Sequence, residues 1–330
     1  HHTPNPRSSH NQLLKIDLPP NSTGPNPLRA VYRNAEKPFA VVSIAERTLF
    51  GRGQKIELKA TVGAVTQNVN LSFTEPYIYD MPLSGTILFY NWKYDFDEYD
   101  KDSFGAGIKL SYPLFNYTRG SLGYIYDLAD ISNITSSAPG SIKDLKGENI
   151  KSSITPMLSF DSRDNTFVPT TGSKHSVSFE YAGLGGDIGF MKYIGKTTWY
   201  LPLFWGFVLA PHAEGGYVNK TKEKKLPDYE KFYMGGIGSM RGFKRDDLAP
   251  KDDDGDAIGG DKYLQFNLDL TFPLLKEQGV YGSLFFDTGK VYGDNEKIEF
   301  DPGDLRQSAG FGFRWLSPMG LSLIHISEPT

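Results

Sequence analysis

Cysteine is absent from the 330 residues, which excludes disulfide scaffolds, thiol catalysis and zinc–thiolate sites. A basic excess is also lacking. The net charge is -4, and no stripe of lysine and arginine offers the face with which nucleic-acid binders neutralise phosphates, so no nucleic-acid partner is expected. Long apolar runs are missing: the longest, YLPLFWGFVLAP at 200–211, is interrupted by Pro202 and falls short of the ~20 residues of a membrane-spanning helix. No heptad or long amphipathic helix is present. The N-terminal HHTPNPRSSHNQLL lacks the basic start and apolar core of a secretory signal, so any export signal is expected outside this chain.

Catalytic and metal signatures fail on the same inspection. In GGIGSMRG, Arg241 stands where a dinucleotide loop needs its third glycine, and Ile237 stands two residues before Ser239, where a nucleophile elbow needs glycine. Asp252, Asp254 and Asp256 have calcium-loop spacing, but Ala257 replaces the required glycine and Tyr263 the bidentate glutamate. A solvated acidic loop is the better reading. The six histidines show no ligand spacing. No enzyme activity, cofactor or metal is expected.

What the chain has in quantity is aromatic residues and glycine, with 22 Phe, 19 Tyr and 35 Gly, a balance that favours strands and turns. In LQFNLDLTFPL, Leu264, Phe266, Leu268, Leu270, Phe272 and Leu274 fall on one face and Gln265, Asn267, Asp269 and Thr271 on the other. The same alternation recurs in KIELKATVGAV from Lys55, VNLSFTEP from Val69 and HSVSFEYAG from His175. About fourteen strands are recognisable. Tight connections such as PYIYDMP, PLFNYTRG, NTFVPTTG, PLFWG and PLLKEQG alternate with polar segments at 129–149, 219–259 and 293–304. Short turns at one end and long loops at the other are the pattern of an outer-membrane barrel, with the short turns toward the periplasm.

A soluble sandwich or ligand-binding barrel also alternates. The two differ in which face is wet, because a membrane barrel turns its apolar face outward and can hold charges inside. Glu57, Lys59, Glu180 and Asp269 on the polar face favour the membrane barrel, as does a strand number too large for a small soluble barrel. Tyr77, Tyr79, Trp92, Trp199 and Trp205 lie near strand ends and suit interfacial girdles, although ordinary strand packing explains any one of them equally well. The segments 129–149 and 219–234, the longest and most polar, are expected to face the cell exterior.

The loop GGIGSMRGFKRDD at 235–247 puts four glycines, two arginines and a phenylalanine into thirteen residues. If it folds back into the lumen, Arg241 leaves bulk water and needs carboxylates shaped to its planar fork. Asp269 on the polar face of FNLDLTF and Asp287 in LFFDTGKVY are the candidates, on strands close enough to meet at one point.

At these residues the chain resembles the BamA family of outer-membrane protein assembly factors, within the bacterial surface antigen barrel superfamily. That superfamily's (V/I/M)-R-G-(F/Y) motif reads here as Met240, Arg241, Gly242 and Phe243. Further matches are SIAERTLFGRGQ, SFTEPYIYD, DSRDNTFVPTTG, GDKYLQFNLDLTFPL, FFDTGKVY and RQSAGFGFRWLSPMG, covering most of 39–320. The resemblance implies an all-β, sixteen-stranded transmembrane antiparallel barrel in the bacterial outer membrane, with the motif loop in the lumen and Arg241 paired to inner-wall acids. Asp287 matches the family well, while Asp269 stands where glutamate is common. Gly242 is expected to allow close backbone approach and Phe243 to wedge the loop against the wall. The implied work is folding and inserting client barrels through a weakly paired seam between first and last strands, with unfolded outer-membrane proteins, accessory assembly lipoproteins and outer-membrane lipid as partners. A related barrel dedicated to one client class (autotransporter assembly or two-partner secretion) and a passive porin or receptor are the alternatives.

Residues 1–30 are expected to be irregular and 31–323 to form a barrel incomplete at both ends, without the family's periplasmic POTRA domains. Residues 324–330 are expected to be a non-native tail, since IHISEPT looks like translated sequencing-adapter read-through, leaving the closing strand missing.

Overall fold

The computed structural model describes residues 13–17, 29–33, 39–49, 53–63 and, apart from short gaps in loops, 66–329. The alternating segments become sixteen strands. They are β1 (Leu13–Asp17), β2 (Arg29–Arg33), β3 (Phe39–Leu49), β4 (Gln54–Gly63), β5 (Thr66–Glu75), β6 (Ser84–Asp95), β7 (Asp100–Phe115) and β8 (Thr118–Ser132) in the first half. The second half holds β9 (Gly147–Asp161), β10 (Gly172–Gly186), β11 (Phe190–Pro202), β12 (Val208–Lys220), β13 (Lys262–Leu275), β14 (Val280–Tyr292), β15 (Arg306–Ser317) and β16 (Gly320–Pro329). Each strand pairs antiparallel with its sequence neighbours, and the order returns from β16 to β1. β3 to β15 form one continuous sheet, whereas the return is slender: β1 meets β16 only from Lys15–Leu323 to Asp17–Leu321.

The ends differ from what the sequence led us to expect. β1 lies within the stretch read as irregular, and β16 occupies the place where a closing strand was expected to be missing, paired with β15 from Ser317–Gly320 to Ser308–Pro329. The physical reason is that the edge of β15 presents a row of backbone donors and acceptors, which any extended segment of sufficient length can satisfy.

Sidedness is the inverse of a soluble core. Along β13, Phe266 and Leu268 point outward and are exposed while Tyr263 and Gln265 are buried inside, and on β14 Leu284 and Phe286 alternate with buried Ser283 and Asp287. Ile87, Phe104, Leu122, Leu158, Val177 and Phe311 continue the exposed apolar band on six other strands. A continuous apolar exterior of this extent is stable only against lipid.

Seven short connections gather at one end, and three register shifts lie beside them, at Glu46/Leu49, Pro113/Phe115 and Pro273/Leu275. Two of these involve proline, which cannot donate to a ladder. The other end is mixed. The connections 133–146, 221–261 and 293–305 are long, but β6 to β7 and β10 to β11 take only 96–99 and 187–189. The polar segment 95–103 between β6 and β7 is therefore mostly strand.

The lumen is not simply polar. At the long-loop end Ile131, Ala182, Phe190, Val218, Tyr263 and Val291 from six strands enclose an apolar cluster. Two long connections complete it, one with Ala138, Ile142 and Leu145 around α1 (Gly140–Lys143), the other with Phe232, Met234 and Met240. The segments expected to be exterior loops thus turn inward, because their polar composition conceals apolar anchors.

Candidate functional site

The β12–β13 connection is held inside the barrel at two points. The first is the glycine-rich tip. Gly235 and Gly236 take φ of 134° and 87°, the Gly235 N–H donates to Ser239 Oγ at 2.9 Å and the Gly236 N–H to the Phe243 carbonyl at 2.8 Å. The loop closes on itself and directs Met240 and Arg241 at the wall. Met240 lies fully buried in the apolar cluster, with Phe243 half-buried at its margin. Met240 is thus the deep wedge and Phe243 the shallow one. Gly242 between them has φ 94°, a conformation that would strain any side chain.

Arg241 is 6% exposed and Asp287 is 0% exposed. The Asp287 carboxylate accepts Arg241 Nε at 2.7 Å, Nη2 at 2.5 Å and the Arg241 backbone N–H at 3.0 Å, while Asn267 Nδ2 donates to it at 2.8 Å. Arg241 Nη1 reaches Asp269 Oδ1 at 2.8 Å, so the shorter aspartate makes the contact. The guanidinium carbon lies 3.7 Å from the Phe285 ring centroid, a geometry in which the π face stabilises the cation. Arg314 Nη2 approaches the same Asp269 at 3.5 Å. Two guanidiniums and two carboxylates therefore balance here, with Arg241 and Asp287 shielded from water and Asp269 and Arg314 partly exposed. Burial alone would favour the neutral arginine, but hydrogen bonding to Asp287 and the charge of Asp269 raise the Arg241 pKa above its ordinary value.

Of the expected residues, Arg241 is brought to Asp287 and Asp269, while Met240 and Phe243 pack with the apolar cluster and Gly242 lies in the turn between them. Three participants were not anticipated. Asn267 bridges the loop carbonyl of Ser239 at 2.9 Å and Asp287, and its place on the polar face of FNLDLTF was the available signal. Phe285 is an aromatic between Ser283 and Asp287 on the inward face of β14, and Arg314 an isolated arginine inside the alternating GFGFRWLS.

The second anchor, Asp228 to Lys231, carried no motif. Lys151 Nζ on β9 donates to Glu230 Oε1 at 2.6 Å and Lys192 Nζ on β11 to Oε2 at 3.3 Å, with Glu180 3.7 Å from Lys151. Lys101 Nζ sits 3.6 Å over the Tyr229 ring. Ser141 Oγ donates to Asp228, joining this connection to the one around α1. Burial pushes Glu230 toward the neutral acid, but the two ammoniums outweigh it and hold its pKa below the ordinary value. Wall glycines make room for this segment: a Cβ on Gly216 would meet Phe232 at 2.8 Å, and one on Gly289 would meet Met234 Sδ at 3.0 Å and the Leu264 carbonyl at 2.6 Å.

Of the aromatics read as girdle candidates, Tyr77, Tyr79, Trp199 and Trp205 are exposed near the short-turn end. Trp92 is different. It stacks on Tyr90 at 4.3 Å and donates its indole N–H to Asn70 at 2.9 Å, which makes it a wall residue of the lumen. Of the acidic-loop residues, Asp254 and Asp256 lie outside the described residues, and no cluster of three or more potential metal ligands occurs among the described ones.

Comparison with known proteins places this geometry. The chain is 33% identical to the outer membrane protein assembly factor BamA of Nitratidesulfovibrio vulgaris over 282 residues, 84% of this chain and 35% of that protein. BamA of Neisseria meningitidis serogroup B is 29% identical over 360 residues, covering 93% of this chain and 44% of the relative. The chain thus spans less than half the length of these relatives. The crystal structure of BamA from Haemophilus ducreyi lacking POTRA domains 1–3 superposes with a TM-score of 0.76 at 21% identity, over 97% of this chain and 66% of that one. The Omp85 superfamily domain matches residues 48–327, and with a lumenal loop held by Arg241 on the inner wall of a sixteen-stranded barrel, the chain belongs to the Omp85 superfamily.

Proposed function

We propose that this chain is the membrane-embedded barrel of a bacterial outer-membrane protein assembly factor, which folds and inserts client β-barrels without a catalytic step. The observation that carries the reading is the buried Arg241–Asp287 pairing of the β12–β13 loop, in a chain whose relatives bear the name BamA. The lock ties the loop to β13 and β14 while the apolar cluster fills the long-loop end of the lumen. A passive porin needs that path open, so the plug disfavours conduction as the main activity.

The pairing around β1 is slender on both sides, three residue pairs to β16 and two to β2, and such a weak seam supports the mechanism. Backbone groups at a weakly paired seam are free to template an incoming strand, and strand addition supplies the client with hydrogen bonds before its own sheet has formed. On this reading the partners are unfolded outer-membrane proteins, accessory lipoproteins and the lipid of the outer membrane. The client strand is recognised by backbone geometry, which explains how one protein can serve many sequences.

Depletion of the full-length protein in its host tests the assignment. The expected result is a fall in the abundance of many unrelated outer-membrane barrels. Normal levels of every other barrel would overturn it, and loss of a single client would favour the dedicated alternative.

A further inference from the structure

The outward apolar band is interrupted over β11 to β14 by a cavity of about 320 Å³, a volume within the range of small-ligand sites, about 300–1,000 Å³. Its shape follows from two adjacent rows of cross-strand partners. One row runs Thr197, Ala213, Phe266 and Thr288, the other Trp199, Pro211, Leu268 and Phe286. On β11 and β12 the first row supplies only threonine and alanine, while Phe266 and Leu268 stand exposed beside them. The next outward residue on β11 is Gly195, the partner of exposed Val177, and a side chain added there would meet nothing within 4 Å. Tyr193 and Tyr217 are exposed farther along the same two strands. The result is a trough in a belt of large side chains. Glycine inside a strand weakens it and often marks the close approach of a ligand.

One end of the trough is polar. His175 on β10 is the partner of Thr197 and so continues the first row on the outward face. Its ring centroid lies 5.7 Å from that of Phe160 and 5.0 Å from that of Trp199. Nδ1 is 2.8 Å from Thr197 Oγ1, a cavity-lining side chain, and Nε2 is 2.9 Å from Ser173 Oγ. The row also climbs the wall. His175 stands three residues into β10 from its short-turn end, and Thr288 eight residues into β14, four strands away or ~19 Å at ~4.8 Å per strand. A site that is polar near the membrane interface and apolar toward the bilayer centre has the profile of a glycerol ester and its acyl chain.

We propose that this trough binds one diacyl glycerophospholipid from the leaflet on the short-turn side. An acyl chain lies over Ala213 and Gly195, and Thr197 Oγ1 donates to the ester carbonyl. His175 positions that hydroxyl. A neutral imidazole has one N–H and one bare nitrogen, so with the proton on Nδ1 it donates to Thr197, accepts from Ser173, and leaves the Thr197 hydroxyl proton for the lipid. Location decides the occupant, because this face lies against the bilayer. The proposal rests on the chain being an outer-membrane barrel and not on its assembling clients.

The test uses the full-length protein, extracted in detergent, stripped of lipid and titrated with dioleoyl phosphatidylglycerol, with retained lipid counted by native mass spectrometry. Wild type is expected to hold one lipid at concentrations where a second does not bind. Ala213→Phe fills the trough and should weaken this first site roughly ten-fold by steric exclusion. Gly195→Leu does the same from the neighbouring strand, so the site is still read if either variant folds poorly. Thr197→Val keeps the shape, removes the hydroxyl and should weaken retention several-fold, whereas Ile87→Phe, on the outward face of β6 and far from the trough, should leave it unchanged. A graded series of bound lipids with no preferred first one would overturn the proposal, as would equal retention by wild type and the folded trough-filling variants. Full retention by Thr197→Val would overturn the ester contact. Client assembly does not enter the measurement, so failure here is distinct from failure of the functional assignment.

Discussion

Arg241 is a cation inside a membrane protein, and its stability depends on receiving as many bonds as it loses to desolvation. Three bonds run from this residue to Asp287 and one to Asp269, with Phe285 beneath the guanidinium plane. Removing one member strands the other, so Arg241→Ala in the full-length protein should cost about 3–5 kcal/mol, and Asp287→Ala a similar amount. The double variant should be less harmful than the two effects added, because both changes break one interaction. Urea unfolding and client-assembly assays of the full-length variants check this, and strictly additive losses would refute the shared lock. Arg241→Lys should rescue little, since an ammonium cannot reproduce the fork. In the folded barrel Arg241 should resist phenylglyoxal, and ready modification would mean that the loop leaves the wall.

The β12–β13 connection is an element held by two unlike anchors, and they should differ in pH response. Glu230 has its pKa lowered in the folded state by Lys151 and Lys192, so the unfolded chain binds more protons as acid is added. The contribution of this anchor is therefore complete above the ordinary carboxylate value of 4.5 and is lost as pH falls below it. Limited proteolysis at descending pH, with an acid-tolerant protease, should show cleavage between 221 and 234 rising below about pH 4.5 in wild type. Glu230→Gln leaves two lysines facing a neutral amide, so it should be cleaved more readily at neutral pH and show little further acid sensitivity. Arg241 stays charged throughout, and residues 235–243 should be cleaved less readily than 221–234.

At the scale of the whole molecule, the exposed apolar belt, the short-turn end and the plugged long-loop end define an orientation in the membrane. The absence of cysteine lets single labels report it. A cysteine replacing Lys143, an exposed position on α1, should react with an impermeant maleimide in intact cells. One replacing Asn116 in the turn after β7 should react only once the periplasm is opened. Labelling of Asn116→Cys first would reverse the topology.

The sequence by itself determined the strand period, the inverted sidedness and the Arg241–Asp287–Asp269 constellation, because alternation is a local property and a charge on an inward face needs an opposite charge. Those features are written within one strand or one motif. The apolar plug was not legible, since Phe232, Met234, Ile142 and Leu145 are scattered among polar residues with no period, and only ring closure brings six strands around them. The Glu230 anchor escaped for the same reason: Lys151 and Lys192 lie 79 and 38 residues from it in the chain, and a pairing at that separation depends on strand order. Trp92 belonged to the lumen rather than the girdle, because the register of β6 against β5 decided which face it took. Local periodicity fixes what each strand offers to either side, and closure of the barrel decides which of those offers meet.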